Sequence, residues 1–144
     1  MAELYRIAME LQLVHALTDA QVAQLCDLYQ QEWWSTGRAP DDVRRMLAHS
    51  EVVALTAGDE LAAFGRAVTD YVYKALVLDI IVAAPRRGAG LGRRIVDAIM
   101  AHPKLAEVRH FELYCAPEME PFYERWSYTS DLGGLSFMRY SRLS

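Results

Sequence analysis

The chain has 144 residues, 53% of them hydrophobic and 24% charged, with a net charge of −4 at neutral pH. That length suits one domain with a single core, 1–144, and the composition is that of an ordinary globular protein. No apolar run reaches the roughly 18–20 residues of a membrane span, and the acidic balance argues against nucleic acid, whose binders are usually basic.

The N-terminal stretch "MAELYRIAMELQL" carries acidic residues and no small-residue cleavage site, so no secretion signal is read there and a cytoplasmic location is expected. Residues 3–13 alternate, with Tyr5, Ile7, Met9, Leu11 and Leu13 on one face, which predicts a strand. "TDAQ" then opens a helix in which Thr18 and Gln21 fit a capping box. Val22, Leu25, Cys26, Tyr29 and Trp33 continue it at helical spacing. "STGRAPDD" breaks that helix, and Pro40, Asp41 and Asp42 suit the first turn of another. "EVVALTA", the turn "GD" and "ELAAFGRAVTD" read as a hairpin. A third strand, about 72–83, is apolar apart from Lys74 and Asp79, as expected of a strand buried on both faces. A helix over 90–102, a strand "RHFELYCA", a short helix "EMEPFYERW" and a last strand "LSFMRYSRL" complete the order β-α-α-β-β-β-α-β-α-β. This is an α+β class with three layers: a mixed central sheet and flanking helices. Strand 72–83, the following helix and strand 108–115 form one βαβ unit, whose strands should be parallel neighbours.

Cys26 and Cys115 are far apart in apolar surroundings, which reads as two free thiols in a reducing compartment. No Cys/His cluster has zinc-like spacing, and no metal is expected.

The segment with the clearest chemistry is "PRRGAGLGRR", residues 85–94, which holds three glycines and four arginines between a buried strand and a helix. A helix N-terminus exposes unpaired N–H groups and a partial positive charge, and glycines let the preceding backbone curl its own N–H groups inward. Arginine adds charge that does not titrate near neutral pH. On an acidic body, this favours a small anionic ligand over a long polyanion. A P-loop would need Gly-Lys-Ser/Thr, and here Gly92 is followed by Arg93. A dinucleotide fingerprint would need a third glycine where Arg93 or Ile95 stands.

What remains, Arg87-x-x-Gly90-x-Gly92, resembles the acetyl-CoA pyrophosphate motif of the GNAT family of N-acetyltransferases. "PFYERWSY", 121–128, is similar to a second segment of that family, and the element order agrees from about residue 3 to 143. The resemblance implies acetyl-CoA as co-substrate and acetyl transfer to a primary amine, with a small-molecule acceptor favoured over a peptide. It implies that the backbone of Arg87, Gly88, Ala89, Gly90, Leu91, Gly92 and Arg93 holds the pyrophosphate, that Ile80, Ile81 and Val82 pair with the pantetheine arm, and that Tyr123 is the general acid for the leaving thiolate. The chain departs from the family in "CAPEME", where many members carry an asparagine, in Ser127, which replaces a usual glycine, and in the placing of Pro85.

The attacking amine must be neutral, so a base or a water chain must take its proton. The thioester carbonyl needs N–H donors, and the thiolate benefits from a proton. Asp79, a lone acid within "LVLDIIV", is the candidate base, since burial would raise its pKa. The alternative is a salt bridge to Lys74 or to an arginine. Glu112 is a weaker candidate. Tyr123 could equally be a buried aromatic with a satisfied hydroxyl. The four histidines, His15, His49, His102 and His110, read as solvated caps.

For the acceptor, Trp33, Trp34, Tyr71 and Tyr73, with Glu32 and Asp70 beside them, are expected to line a pocket for a cationic amine. The other reading places Trp33 and one tyrosine in the core. A tryptophan left outside could instead serve an interface, so a homodimer stays open. An acyl-CoA sensor without turnover would share the glycine turn but not the need for Tyr123 and Asp79.

Overall fold

The computed structural model describes residues 10–142. Its contacts divide the chain into two units, one ending at Leu113 and the other beginning at Tyr114.

The first unit is built on a five-stranded sheet of β1 (Gln12–Val14), β2 (Glu51–Ala57), β3 (Glu60–Thr69), β4 (Lys74–Val82) and β5 (His110–Glu112), in that spatial order. Neighbours are antiparallel except β4 and β5, which are parallel and joined through a helix as the βαβ reading requires. Most of the expected first strand lies on residues 3–9, outside the described residues; β1 is its described end. Gly58 and Asp59 make the turn between β2 and β3.

Helix α1 spans Asp19–Gln31, and its capping box is formed: Gln21 N–H donates to the Thr18 hydroxyl, and Thr18 N–H donates to the Gln21 side chain. The helix stops short of Trp33, where the spacing had carried it. Glu32 is extended, and the hydroxyls of Ser35 and Thr36 donate to the Tyr29 and Glu32 carbonyls at 2.8 and 2.7 Å. Those side chains satisfy carbonyls that would otherwise drive another turn. Helix α2 spans Pro40–Ala48, with Pro40 at its start and Asp41 and Asp42 in its first turn. Helix α3 spans Leu91–Met100.

Two apolar clusters sandwich the sheet. Ile95 and Ile99 of α3 pack on Val53, Leu55, Ala63, Ala75 and Val77. On the other face, Leu25 and Tyr29 of α1 and Val43 of α2 pack on Val52, Ala54, Phe64 and Ile81. Strict alternation along β4 would place 75, 77, 79 and 81 on one face. Instead Ala75 and Val77 face α3, and Ile81 faces α1. The cause is a β-bulge: Phe64 pairs with Ile81 and Arg66 with Leu78, so Gly65 alone stands opposite both Asp79 and Ile80. Asp79 takes φ 58°, a left-handed conformation that aspartate tolerates better than most residues. The bulge turns the Asp79 side chain out of the α3 core and toward α1.

The second unit holds a 3-10 turn (Pro117–Met119) and the short helix α4 (Glu120–Glu124). The expected last strand is not formed. Residues 135–142 alternate as a strand would, yet no backbone ladder forms with them among the described residues, and Leu135, Phe137, Met138 and Tyr140 are exposed. A strand needs a partner for its backbone groups, and alternation alone does not supply one.

Candidate functional site

The glycine turn follows β4 directly. A 3-10 turn (Ala84–Arg86) leads into Gly88 and Gly90, at φ 85° and 77°, where a side chain would be strained. Gly90 is the N-cap of α3, and no side chain caps the helix. The first helical bond runs from Arg94 N–H to the Gly90 carbonyl at 3.2 Å, so the N–H groups of Leu91, Gly92 and Arg93 point beyond the helix end. Those of Gly88, Ala89 and Gly90 have no acceptor among the described residues. A Cβ placed on Gly88 or Gly90 would meet nothing within 4 Å. The turn is therefore an open run of N–H donors at the positive end of a helix dipole, and these residues fit a pyrophosphate.

The arginines divide. Arg86 makes a two-pronged pair with Glu60, both bonds 3.0 Å. The Arg87 side chain folds back, donating through Nε to the Val82 carbonyl at 3.1 Å and standing 3.7 Å from Glu32. The Arg87 backbone N–H is also committed, to the Ala84 carbonyl. Arg93 and Arg94 are exposed in the first turn of α3, without an ion pair among the described residues. The cationic spot read as four arginines thus has two with free charge.

Beside the turn, β4 offers an open edge. β5 pairs only with Lys74–Leu76, and no strand covers the β4 edge at Ile80–Val82 among the described residues. An extended ligand could pair there as an added strand does.

Asp79 occupies the bulge just before that edge. Its Oδ2 accepts from Arg66 Nε at 2.7 Å, Arg38 Nη1 at 2.8 Å and the Tyr29 hydroxyl at 2.8 Å, and its side chain is only 5% exposed. Burial pushes the carboxyl up, as expected, but the hydrogen bonds and charges of Arg66 and Arg38, with the Tyr29 hydroxyl, outweigh it and hold the pKa below the usual value. The expected upward shift is thus reversed, and of the readings left open the salt bridge to arginine is the one formed. Tyr29 is raised, chiefly by burial and then by the Asp79 charge, and stays neutral. Arg66, Arg38 and Tyr29 were not singled out from the sequence, because they come from three elements that only the fold brings together.

The aromatic set is not assembled. Trp33 is 90% exposed. Trp34 lies edge-on to Tyr29, with Arg38 over both rings. Tyr71 donates to Glu51 at 2.5 Å, and Tyr73 lies under Arg109. Neither tyrosine shares a partner with Trp34. Asp70 accepts from the N–H groups of Val72, Tyr73 and Lys74, holding the hairpin turn. Glu112 pairs with Lys74 at 2.9 Å. His102 departs from the solvated reading: it is buried against His15, accepts from Lys104 N–H, and stands 3.5 Å from Glu51. Its pKa is lowered, first by burial and then by His15.

Tyr123 lies in the second unit, half-buried among Phe122 and Tyr128. Burial, and then the nearby Cys115, raise its phenol above the ordinary value of 10. Cys26 and Cys115 are both free thiols. Among the described residues no group of His, Cys, Asp or Glu could hold a metal ion, and no helix is long and apolar enough to cross a membrane.

Three comparisons with known proteins bear on this geometry. The model of the acetyltransferase (GNAT) family matches residues 9–128. Serotonin N-acetyltransferase 2, chloroplastic, of rice (Oryza sativa subsp. japonica) is 33% identical over 110 residues, which are 71% of this chain and 55% of that protein. L-2,4-diaminobutyric acid acetyltransferase of Halomonas elongata is 44% identical over 39 residues, 27% of this chain and 20% of that protein. The chain thus spans about half the length of the rice relative. Among solved structures, a protein of Xanthomonas campestris described as belonging to the GNAT family superposes with a TM-score of 0.80 at 27% identity, covering 92% of this chain and 94% of that one. Glucosamine-6-phosphate N-acetyltransferase of Arabidopsis thaliana shares the fold, with a TM-score of 0.70 at 17% identity over 90% of this chain and 97% of that one.

Proposed function

This chain belongs to the GNAT family of acetyltransferases, and we propose that it moves an acetyl group from acetyl-CoA to the primary amine of a small molecule. The observation that supports this best is the turn after β4: left-handed Gly88 and Gly90, an uncapped helix end and an open strand edge, in one continuous stretch. In this reading the N–H groups of Gly88 to Arg93 hold the pyrophosphate, Arg93 and Arg94 attract it, and the Ile80–Val82 edge aligns the pantetheine arm.

The amine nitrogen attacks the thioester carbonyl carbon, the carbon–sulfur bond breaks, and CoA leaves as a thiolate that takes a proton. Tyr123 is the proposed donor, and its raised pKa keeps that proton available at neutral pH. Asp79 has the wrong pKa direction for the base and is assigned instead to anchoring Arg38 and Arg66. The proton of the attacking ammonium leaves through water. A cytoplasmic location and a single functional domain over 1–144 are part of the same proposal, with plastids the other compartment to test, given the rice relative's name.

The test is thermal unfolding with and without acetyl-CoA. Ligand at 100 times its dissociation constant adds about 2.7 kcal/mol, and roughly 0.3 kcal/mol/K of unfolding entropy for this length turns that into a rise of about 9 °C. Gly90→Asp, which puts a carboxylate into the cradle, should abolish the rise. A Gly90→Asp protein that still binds at wild-type affinity would refute the cradle.

A further inference from the structure

The Asp79 cluster holds more positive charge than it neutralises. Two guanidinium groups, Arg38 and Arg66, face one carboxylate, and Tyr29 contributes no charge. Arg44 pairs with Asp41, Arg45 with Asp42 and Arg87 with Glu32, so these carboxylates have cations of their own. Within the cluster, among the described residues, one positive charge is left over.

That surplus has a location. Arg66 is 10% exposed and uses Nε on Asp79 and Nη1 on Ser50. Arg38 is 31% exposed. Its Nη1 is spent on Asp79 and on the Met46 sulfur at 3.6 Å. Its Nε and Nη2 donors have no acceptor among the described residues. The guanidinium carbon lies 4.5 Å from the Tyr29 ring centroid and 5.6 Å from that of Trp34. An arginine seated beside two rings and pinned by a buried carboxylate has lost much of its rotamer freedom before any ligand arrives. What it presents is a planar fork of N–H donors, the geometry that binds a carboxylate through two parallel bonds.

We propose that Arg38 is an acceptor-recognition residue and that the amine acetylated by this protein carries a carboxylate, as an amino acid does. This rests on the acetyl-transfer reading and names the substrate class within it. A single surplus charge matches a monoanion better than a doubly charged phosphate. The bulge sets this fork immediately before the Ile80–Val82 edge, on the face of the sheet covered by α1 and α2. Where Trp33, Trp34, Tyr71 and Tyr73 were expected to line a pocket for a cationic amine, this reading puts a cationic site for an anionic group.

The experiment compares acceptors that differ only in the carboxylate: lysine with cadaverine, ornithine with putrescine, phenylalanine with phenethylamine. Phosphoethanolamine beside ethanolamine serves as the phosphate arm. CoA release gives kcat and KM for each, and acetyl-CoA melting curves run in parallel. Wild-type protein should favour the carboxylate-bearing member of a pair by about 10–100-fold in kcat/KM, the range of charged hydrogen bonds. The preference should fall toward one in Arg38→Gln, mainly through KM. It should be reduced but not lost in Arg38→Lys, which keeps the charge and loses the fork. The melting rise with acetyl-CoA should persist in both variants. Equal rates within pairs, a preference that survives Arg38→Gln, a larger preference for phosphoethanolamine, or no turnover of any acceptor while the acetyl-CoA rise is intact would each overturn the assignment. Absence of the rise in wild-type protein would instead remove the acetyl-transfer reading, and the carboxylate assignment with it.

Discussion

Replacing Asp79 with asparagine separates an anchor from a base, because the two roles predict opposite changes in stability. In the structure, Asp79 is the shared acceptor of Arg66, Arg38 and Tyr29. Asparagine keeps the size and removes the charge, leaving two guanidinium groups without a counter-ion. Breaking a buried pair by removing one partner costs about 3–5 kcal/mol. Arg38 is nearly one-third exposed and can turn toward water, so the lower end applies, about 3 kcal/mol, or about 10 °C in midpoint. The pH dependence follows from the depressed pKa. The carboxylate's contribution is fully present above the unfolded value of about 3.9 and is lost as pH falls through the lower folded value. Urea unfolding of both proteins at pH 7, 5 and 3.5 should therefore show a constant gap between pH 7 and 5 and a smaller one at 3.5. A carboxyl with a raised pKa would behave in reverse: its replacement would stabilise the protein at neutral pH. A gap below about 1 kcal/mol at pH 7, or one that widens on acidification, would refute the anchor.

Other perturbations follow from single contacts. A Cβ on Gly65 would stand 2.6 Å from Cγ2 of the fully buried Ile95; Gly65→Ala should destabilise by about 1–3 kcal/mol, the range for overpacked cores, and an unchanged urea midpoint would show that α3 gives way freely. Tyr123→Phe should lower kcat with little change in acetyl-CoA affinity, and equal turnover would remove Tyr123 from the mechanism. Arg93→Ala with Arg94→Ala should weaken acetyl-CoA binding about three- to ten-fold at low salt and much less at 0.5 M, as exposed charges are screened; a salt-independent loss seen by titration calorimetry would mean the two arginines do more than attract.

The elements that local chemistry controls were readable from the chain. Thr18 and Gln21 announce the start of α1, Pro40 with two aspartates announces α2, Gly58-Asp59 announces the hairpin, and the glycines of 88–92 announce the turn before α3. Two ends were misread for physical reasons. The helix through Trp33 continued on apolar spacing alone, while Ser35 and Thr36 supply hydroxyls that close it at Gln31. Residues 135–142 have the alternation of a strand, but pairing is a property of a partner, and alternation carries no information about whether one is present.

The candidate site divides along the same line. The proposed phosphate cradle is local, made of consecutive backbone groups, so spacing and glycine content point to it. Asp79 is not local. A lone acid in an apolar strand says that something must compensate it, and the sign of its pKa shift depends on what that is. Water exclusion alone would raise its pKa toward that of a base; two arginines lower it instead. The sequence separation from Asp79 is 41 residues for Arg38 and 13 for Arg66, and the face on which they meet is decided by a bulge that breaks the strand's alternation. That bulge has a faint signature, Gly65 opposite an aspartate able to take positive φ. It is the register shift that carries Asp79 from the α3 face to the α1 face. The same shift therefore supplies the carboxylate that holds Arg38 and Arg66 together, so a variant that restored regular pairing at Gly65 would be expected to lose that anchor and, with it, the fixed position of Arg38.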